Sequence, residues 1–305
     1  MTSTANSVQR HSRGLFKYKL QIAYNGTNYQ GCQVQRHLGD NVTIQGELER
    51  VWSQLFQEGP AVTGIQVAGR TDSGVHAQGQ VVSISSNRDE IDHPRLMLGM
   101  NGLLPRDIRV KEFRRVPPDF SARYSALGKL YCYELHTDPV EDPLLSHMRL
   151  HVVKPLNTFM MRSAAKAFVG EHDFTQFSST QAKSLSRNPC KTIQSFDLDP
   201  IPGGLRLAVY ASGFLYRQVR HMVGAIIAAG LGTVNTQTIL DYLALGASVP
   251  LAGRKKPPWS AAAAKGLRLE RVDFAPHADI SVLMHPDLPH DEFGRLVTEP
   301  LVVTE

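Results

Sequence analysis

A single carboxylate stands in a run whose residue types permit chemistry: Val67-Ala68-Gly69-Arg70-Thr71-Asp72-Ser73-Gly74-Val75-His76-Ala77. Gly69 and Gly74 tolerate positive φ, so the backbone between them can turn sharply and present the Asp72 side chain. A carboxylate held this way serves as a nucleophile or as a general base. Arg70, two residues away, can set a fixed positive charge beside it. The same residues also make an Asx-turn that ends a hairpin, and local chemistry leaves both readings open. The flanks supply the hairpin: Thr63 to Ala68 is apolar and β-prone, and Gln80 to Ser85 alternates as a half-buried strand.

Two further clusters carry charge beside aromatic or apolar residues. A strand expected from Lys129 to Leu135 places Lys129, Tyr131 and Tyr133 on one face. Such a face can hold an unstacked base, but it also describes a cross-strand aromatic ladder, and pattern alone favours the ladder. Arg217, Arg220 and His221 fall near the start of a helix expected from about Leu215 to Ala229 and capped by Gly230. Three basic groups there oppose the helix dipole, so a carboxylate or phosphate must be sought nearby. Lys183, Arg187 and Lys191 mark a polar basic stretch that reads equally as a phosphate-touching loop or a solvated one. His172 and Asp173 invite an acid–base reading; adjacent residues seldom converge on one reacting atom, so a cap or turn is preferred.

These groups need a scaffold, and the rest of the chain supplies one. Phe16 to Tyr24 alternates as a strand with Tyr18, Leu20 and Ile22 inward. Thr43 reads as the N-cap of a helix whose stripe is Ile44, Leu48, Val51, Trp52, Leu55 and Phe56, with Trp52 in the core and Gly59-Pro60 as its stop. A short helix near Leu96 to Leu103 leads into a strand ending about Val110. Pro117-Pro118 interrupts both helix and sheet and marks a boundary. Beyond it come a helix from Asn157 closed by Gly170, a strand from Leu205 to Phe214, a helix from Thr236 to Leu245, a basic turn at Arg254-Lys255-Lys256, and a closing strand from Gly266 to Phe274. The expected division is 1–14 a disordered tail, 15–117 an N-terminal domain carrying Asp72, 118–276 a C-terminal domain, and 277–305 an extension.

With 305 residues, 42% hydrophobic and 20% charged, the chain has room for two globular domains. The formal charge of +5 and a pI of about 9.1 lean towards a polyanionic partner. Cys32, Cys132 and Cys190 are too widely spaced for a disulfide framework or a zinc site, which points to a reducing cytoplasm. No HExxH, GxGxxG or GxxxxGK[ST] is present, so nothing calls for a metal, a nucleotide or an organic cofactor. The longest apolar run, Met222 to Leu231, is about half a membrane span. The first fourteen residues carry three basic groups, no acid and no apolar core, so they read as a tail, or as a short transit peptide, and not as a secretory signal.

Several of these segments agree, in order, with one family. Gly69 to Ala77 resembles the signature of the tRNA pseudouridine synthase A family, whose usual form has Ala where Ser73 stands. Asn25 to Gln35 is similar to the family's first motif, with Cys32 in place of Trp, a change that bears on local packing. Phe120 to Ala126 with Lys129 to Tyr133, and Phe214 to Gly224, resemble its later motifs. Asn101 to Val110, Gly170 to Phe174 and Gly266 to Phe274 also match.

The resemblance implies an α/β fold of the α+β type: two domains, each an antiparallel sheet with helices packed on it, around a basic cleft. It further implies a homodimer acting without cofactor or metal on tRNA, isomerising uridine to pseudouridine in the anticodon stem-loop. Carried over residue by residue, Asp72 is the catalytic carboxylate, with Arg220 as its partner. Arg70 would fill the space left by the extruded uridine, and Tyr131 would stack on the base. Two other readings stay open beside it. One is a non-catalytic tRNA-binding or folding protein on the same scaffold. The other is glycosidase-like cleavage, which usually wants two paired carboxylates where only Asp72 stands out.

Overall fold

The computed structural model describes residues 15–34, 42–89, 91, 93–179, 188–248 and 257–275. Both terminal segments, Lys183, Arg187 and the Arg254-Lys255-Lys256 turn lie outside the described residues. The first half is β1 (Phe16–Tyr24), α1 (Ile44–Phe56), the single-turn α2 (Pro60–Thr63), β2 (Gln66–Val67), β3 (His76–Ser86), α3 (His93–Leu103) and β4 (Ile108–Val116). The second is β5 (Ala126–His136), β6 (Leu150–His151), α4 (Thr158–Lys166), β7 (Gly170–Asp173), β8 (Cys190–Ile201), β9 (Gly204–Ala211), α5 (Gln218–Gly230), α6 (Thr236–Leu245) and β10 (Leu267–Phe274). No helix among the described residues is long and apolar enough to cross a membrane.

Local rules account for most of these elements. Tyr18, Leu20 and Ile22 are buried at every second position of β1, as its alternation requires. The Thr43 hydroxyl accepts from the Gly46 N–H at 3.1 Å and caps α1, whose Ile44, Leu48, Val51 and Trp52 enter the core. Asn157 and Asn235 cap α4 and α6 in the same way. The end of α1 differs from expectation. Gln57, in the left-handed region at φ 58°, stops the helix by itself, and Gly59-Pro60 opens α2 with proline in the first turn.

The strands form one mixed, mostly antiparallel sheet in the order β4-β1-β3-β10-β5-β9-β8-β7, with β2 added on β3 and β6 on β5. The separate antiparallel sheets expected for the two halves are therefore joined. The joint is β10, the last strand among the described residues, which runs parallel to β3 at Arg268 and Leu269 and antiparallel to β5 from Leu267 onwards. Inserted there, it covers two strand edges that would otherwise be left unpaired.

Burial of β3 is also more complete than its alternation implies: all but Gln78 of its eleven residues are buried. Its serines tolerate this because they are hydrogen-bonded, Ser83 accepting from the Ala122 N–H at 3.2 Å and Ser86 donating to Glu58 at 3.1 Å. Glu58 also accepts from the Trp52 indole at 3.0 Å, which joins β3 to α1 through a buried polar contact. In the second half α4 ends at Lys166, and Gly170, at φ +108°, opens the edge strand β7 instead of closing the helix. Asp173 accepts from the Thr175 and Ala247 N–H groups at 2.8 and 3.0 Å, a turn-closing role with no acid–base partner.

The seam between β10, β5 and β9 is fastened by charge. Glu134 on β5 sits opposite Arg206 in the ladder and receives Arg206 at 3.0 Å, Arg149 at 2.9 Å and Arg268 at 3.4 Å. Burial alone would raise its carboxyl, but Arg268, Arg206 and Arg149 outweigh burial and hold it below the usual carboxylate range. A group whose folded value is depressed contributes stability above its unfolded value, and that contribution is lost as pH falls through the folded one. Glu134→Gln should therefore cost about 3 kcal/mol at neutral pH in urea denaturation. The gap from the parent should close as pH falls below the ordinary carboxyl value of 4.5.

Candidate active site

Asp72 stands on the connection between β2 and β3, and nearly every backbone group around it is held. The Tyr24 hydroxyl meets Thr71 Oγ1 at 2.8 Å, and Gln80 clasps Gly69 from both sides, donating to its carbonyl at 2.6 Å and accepting its N–H at 3.3 Å. From the segment after β1, Tyr29 O accepts from the Gly74 N–H at 3.4 Å and the Ser73 hydroxyl at 3.1 Å. Gly74 lies at φ +76°, where a side chain would be strained. Gly26 is packed so closely that an added Cβ would sit 2.0 Å from the Val75 carbonyl oxygen. His76 is clamped between the Gly26 N–H on Nδ1 at 3.1 Å and the Lys265 carbonyl on Nε2 at 3.1 Å, an arrangement that fixes the neutral tautomer with the proton on Nε2.

Cys32 belongs to this lock. Its sulfur accepts from the buried Thr71 N–H at 3.1 Å and lies 3.7 Å from the Gly69 carbonyl, while its own N–H donates to Thr71 O at 3.2 Å. Burial pushes the thiol above its ordinary value, so it remains protonated and can donate to Gly69. The packing question raised by Cys32 thus resolves into a thiol that replaces bulk with two hydrogen bonds.

The Asp72 carboxylate is not engaged in an Asx-turn. It accepts from Arg220 Nη1 at 3.2 Å, and Arg217 Nε stands 4.0 Å away. Both come from the start of α5, so the anion that the helix dipole called for is Asp72 itself. Arg220 is aimed from behind: its Nε donates to the Ala262 carbonyl at 2.7 Å and its carbonyl accepts from the Ala262 N–H at 2.8 Å. Helix α5 begins three residues later than its apolar pattern indicated, because Arg217 adopts the left-handed conformation at φ 59°. Strand β9 ends at Ala211, short of Phe214, and the residues between form a loop over the site. Positive φ at a residue other than glycine carries strain of about 1 kcal/mol, and such strain gathers at functional sites.

Tyr131, on β5, faces the same space. Its ring meets Phe214 edge-on at 5.3 Å, and its hydroxyl lies 3.2 Å from where a Gly69 Cβ would be, so a side chain there would crowd it. Burial first, then Cys32 and Asp72, push its phenol far above the usual range, and it is protonated at neutral pH. Tyr133 does not share this space as a base platform; it is buried and donates to the Ala263 carbonyl at 2.9 Å. Arg70 is exposed and donates to Gln33, away from the Asp72 ion pair.

Asp72, Arg70, Tyr131 and Arg220 all line one cleft of about 440 Å³, large enough for a nucleoside. Six cationic side chains (Arg70, Arg123, Lys129, Lys191, Arg217 and Arg220) line the cleft, and Asp72 is the single carboxylate on its wall among the described residues. Sequence alone assigned no role here to Arg123 or Gln80, and none to Arg217 as a neighbour of Asp72. Only the basic clustering at the start of α5 signalled Arg217, and nothing local signalled the others.

The family described as tRNA pseudouridine synthase matches the chain over residues 21–125 and 164–275, and so includes every one of these residues except Lys129 and Tyr131. Among curated proteins, "tRNA pseudouridine synthase A 1" of Protochlamydia amoebophila is 40% identical over 211 residues, 69% of this chain and 80% of its own length. "tRNA pseudouridine synthase A" of Methylacidiphilum infernorum is 38% identical over 85% of this chain and 96% of its own length. The protein of that name from Bacillus sp. (strain KSM-64) is 36% identical over 84% and 99%.

The Cys32 contacts can be tested without reference to activity. Cys32→Ala leaves the buried Thr71 N–H unpaired and should lower stability by about 1–2 kcal/mol in urea denaturation. Cys32→Ser, whose hydroxyl can accept the same N–H, should recover most of that loss.

Proposed function

The chain belongs to the tRNA pseudouridine synthase family, an isomerase family, and on that premise we propose that Asp72 is its catalytic carboxylate, acting on a uridine drawn out of a tRNA stem. The observation that carries this reading is the Asp72–Arg220 ion pair, 3.2 Å long, on the wall of the basic cleft that Tyr131 also lines. Isomerisation breaks the C1′–N1 bond, turns the uracil and joins C1′ to C5; C5 loses a proton and N1, freed from the sugar, gains one. No electron is gained or lost, and no group is imported. The carboxylate attacks the sugar or base covalently or takes a sugar proton, and in each case it must be aimed. Two features supply the aim: the hydrogen-bonded loop of Asp72, and Arg220 fixed by Ala262.

A stacked uridine reaches Asp72 only by leaving its helix, at a cost of a few kcal/mol. The exposed Arg70 at the rim is suited to fill the vacated place. Tyr131 offers a stacking surface worth roughly 1–3 kcal/mol. Because burial keeps its phenol protonated, hydrogen-bond donation to the base is favoured over proton removal from C5. The relatives' names give tRNA as the substrate; the anticodon stem-loop is taken from the family resemblance alone. A homodimer in the cytoplasm, divided into two domains near Pro117-Pro118, completes the reading; the three free cysteines agree with a reducing compartment.

Carbodiimide labelling of tRNA detects the mass-silent product. Asp72→Asn should abolish the label while tRNA binding stays within a few fold; normal turnover in that variant would remove Asp72 from the chemistry. Tyr131→Phe should retain far more activity than Tyr131→Ala, and equal losses would rule out stacking as its main role. Free uracil in the reaction would instead mark hydrolysis.

A further inference from the structure

The cations of the cleft are not equally provided for. Arg220, and more distantly Arg217, face Asp72; Arg70 leans on Gln33; Arg123 lies over the Tyr124 ring at 5.3 Å. Lys191 and Lys129 have no such arrangement, and Lys129 is the one that lies beside Gly69 and Tyr131. It is half-buried, and among the described residues its ammonium has no carboxylate, carbonyl or ring partner. The charge that acts on it is Arg123, of the same sign. Burial and then Arg123 push it below the ordinary lysine value. Its stem lies along Gly69, with Cδ and Cε 3.5 and 3.7 Å from where a Cβ would be, beside the Tyr131 hydroxyl. The head group thus opens on the cleft at the depth of the proposed base platform. A part-desolvated ammonium beside a like charge weakens the folded protein unless an anion joins it, and none of the described residues supplies one.

Resting on the reading of the cleft given above, we propose that Lys129 is a phosphate-binding residue whose counter-charge is a backbone phosphate of the extruded nucleotide. The RNA fills a place that the free protein leaves electrostatically incomplete. Such a residue detracts from stability while contributing to binding.

The full-length protein, Lys129→Met and Lys129→Arg are compared for tRNA affinity across a salt series, for turnover at saturating tRNA, and for melting of the free protein. Lys129→Met should weaken tRNA binding about ten-fold, flatten the plot of log affinity against log salt by about one unit, change saturated turnover by less than about two-fold, and raise Tm. Lys129→Arg should restore the affinity and the slope. A lower Tm with an unchanged slope would make Lys129 structural and overturn the proposal. Lost turnover with unchanged affinity would place it on the uracil and overturn it equally. Carbodiimide labelling with the parent protein, run in parallel, keeps the two readings apart. Failure there removes the isomerase function, whereas the salt slopes report on Lys129 alone.

Discussion

A salt bridge between residues 148 positions apart, Asp72 and Arg220, is where the two halves of the chain meet in charge. Neither partner is free to wander. The carboxylate is carried by a loop held by Tyr24 at the Thr71 hydroxyl and by Tyr29, Cys32 and Gln80 at its backbone, and the guanidinium is pinned to Ala262. An ion pair in a cleft is worth little if its members must be ordered when the substrate arrives, because the entropy of ordering offsets the attraction. Here the ordering is done by the fold, and the charge is in place beforehand.

The sheet makes this possible. Helix α5 belongs to the second half and the Asp72 loop to the first, so their separation depends on how strands of the two halves are joined. Strand β10 sets it, pairing with β3 on one side and β5 on the other, and the arginines around Glu134 fasten that seam. Lys265, just before β10, holds His76 at the end of the Asp72 loop, so the joint and the site share a residue contact.

What the sequence disclosed and what it hid divide along the range of the interaction. The alternation of β1, the stripe of α1, the cap at Thr43 and the helix start at Asn157 depend on neighbours a few residues away, and all were legible. Basic residues at the start of α5 posed an electrostatic question whose answer, Asp72, lay far off in sequence. The insertion of β10 between β3 and β5 could not be read, because strand partners are chosen by edges that the rest of the fold leaves open. Nor could the left-handed turn at Arg217, since no residue type there announces positive φ. Cys32 was visible as a departure from a motif, but its use as hydrogen-bond acceptor for Thr71 required the fold.

The late place in sequence of the strand that joins the sheet has a bearing on synthesis. A nascent polypeptide emerges with Asp72 first and Arg220 some 150 residues later, yet the strand that sets their spacing is made later still. Until residues 267–274 have left the ribosome, the edges of β3 and β5 that β10 covers stay bare, and Asp72 and Arg220 have no fixed distance. A chain released before that point carries both charged side chains without the strand that spaces them, and its bare edges are prone to pair with other chains.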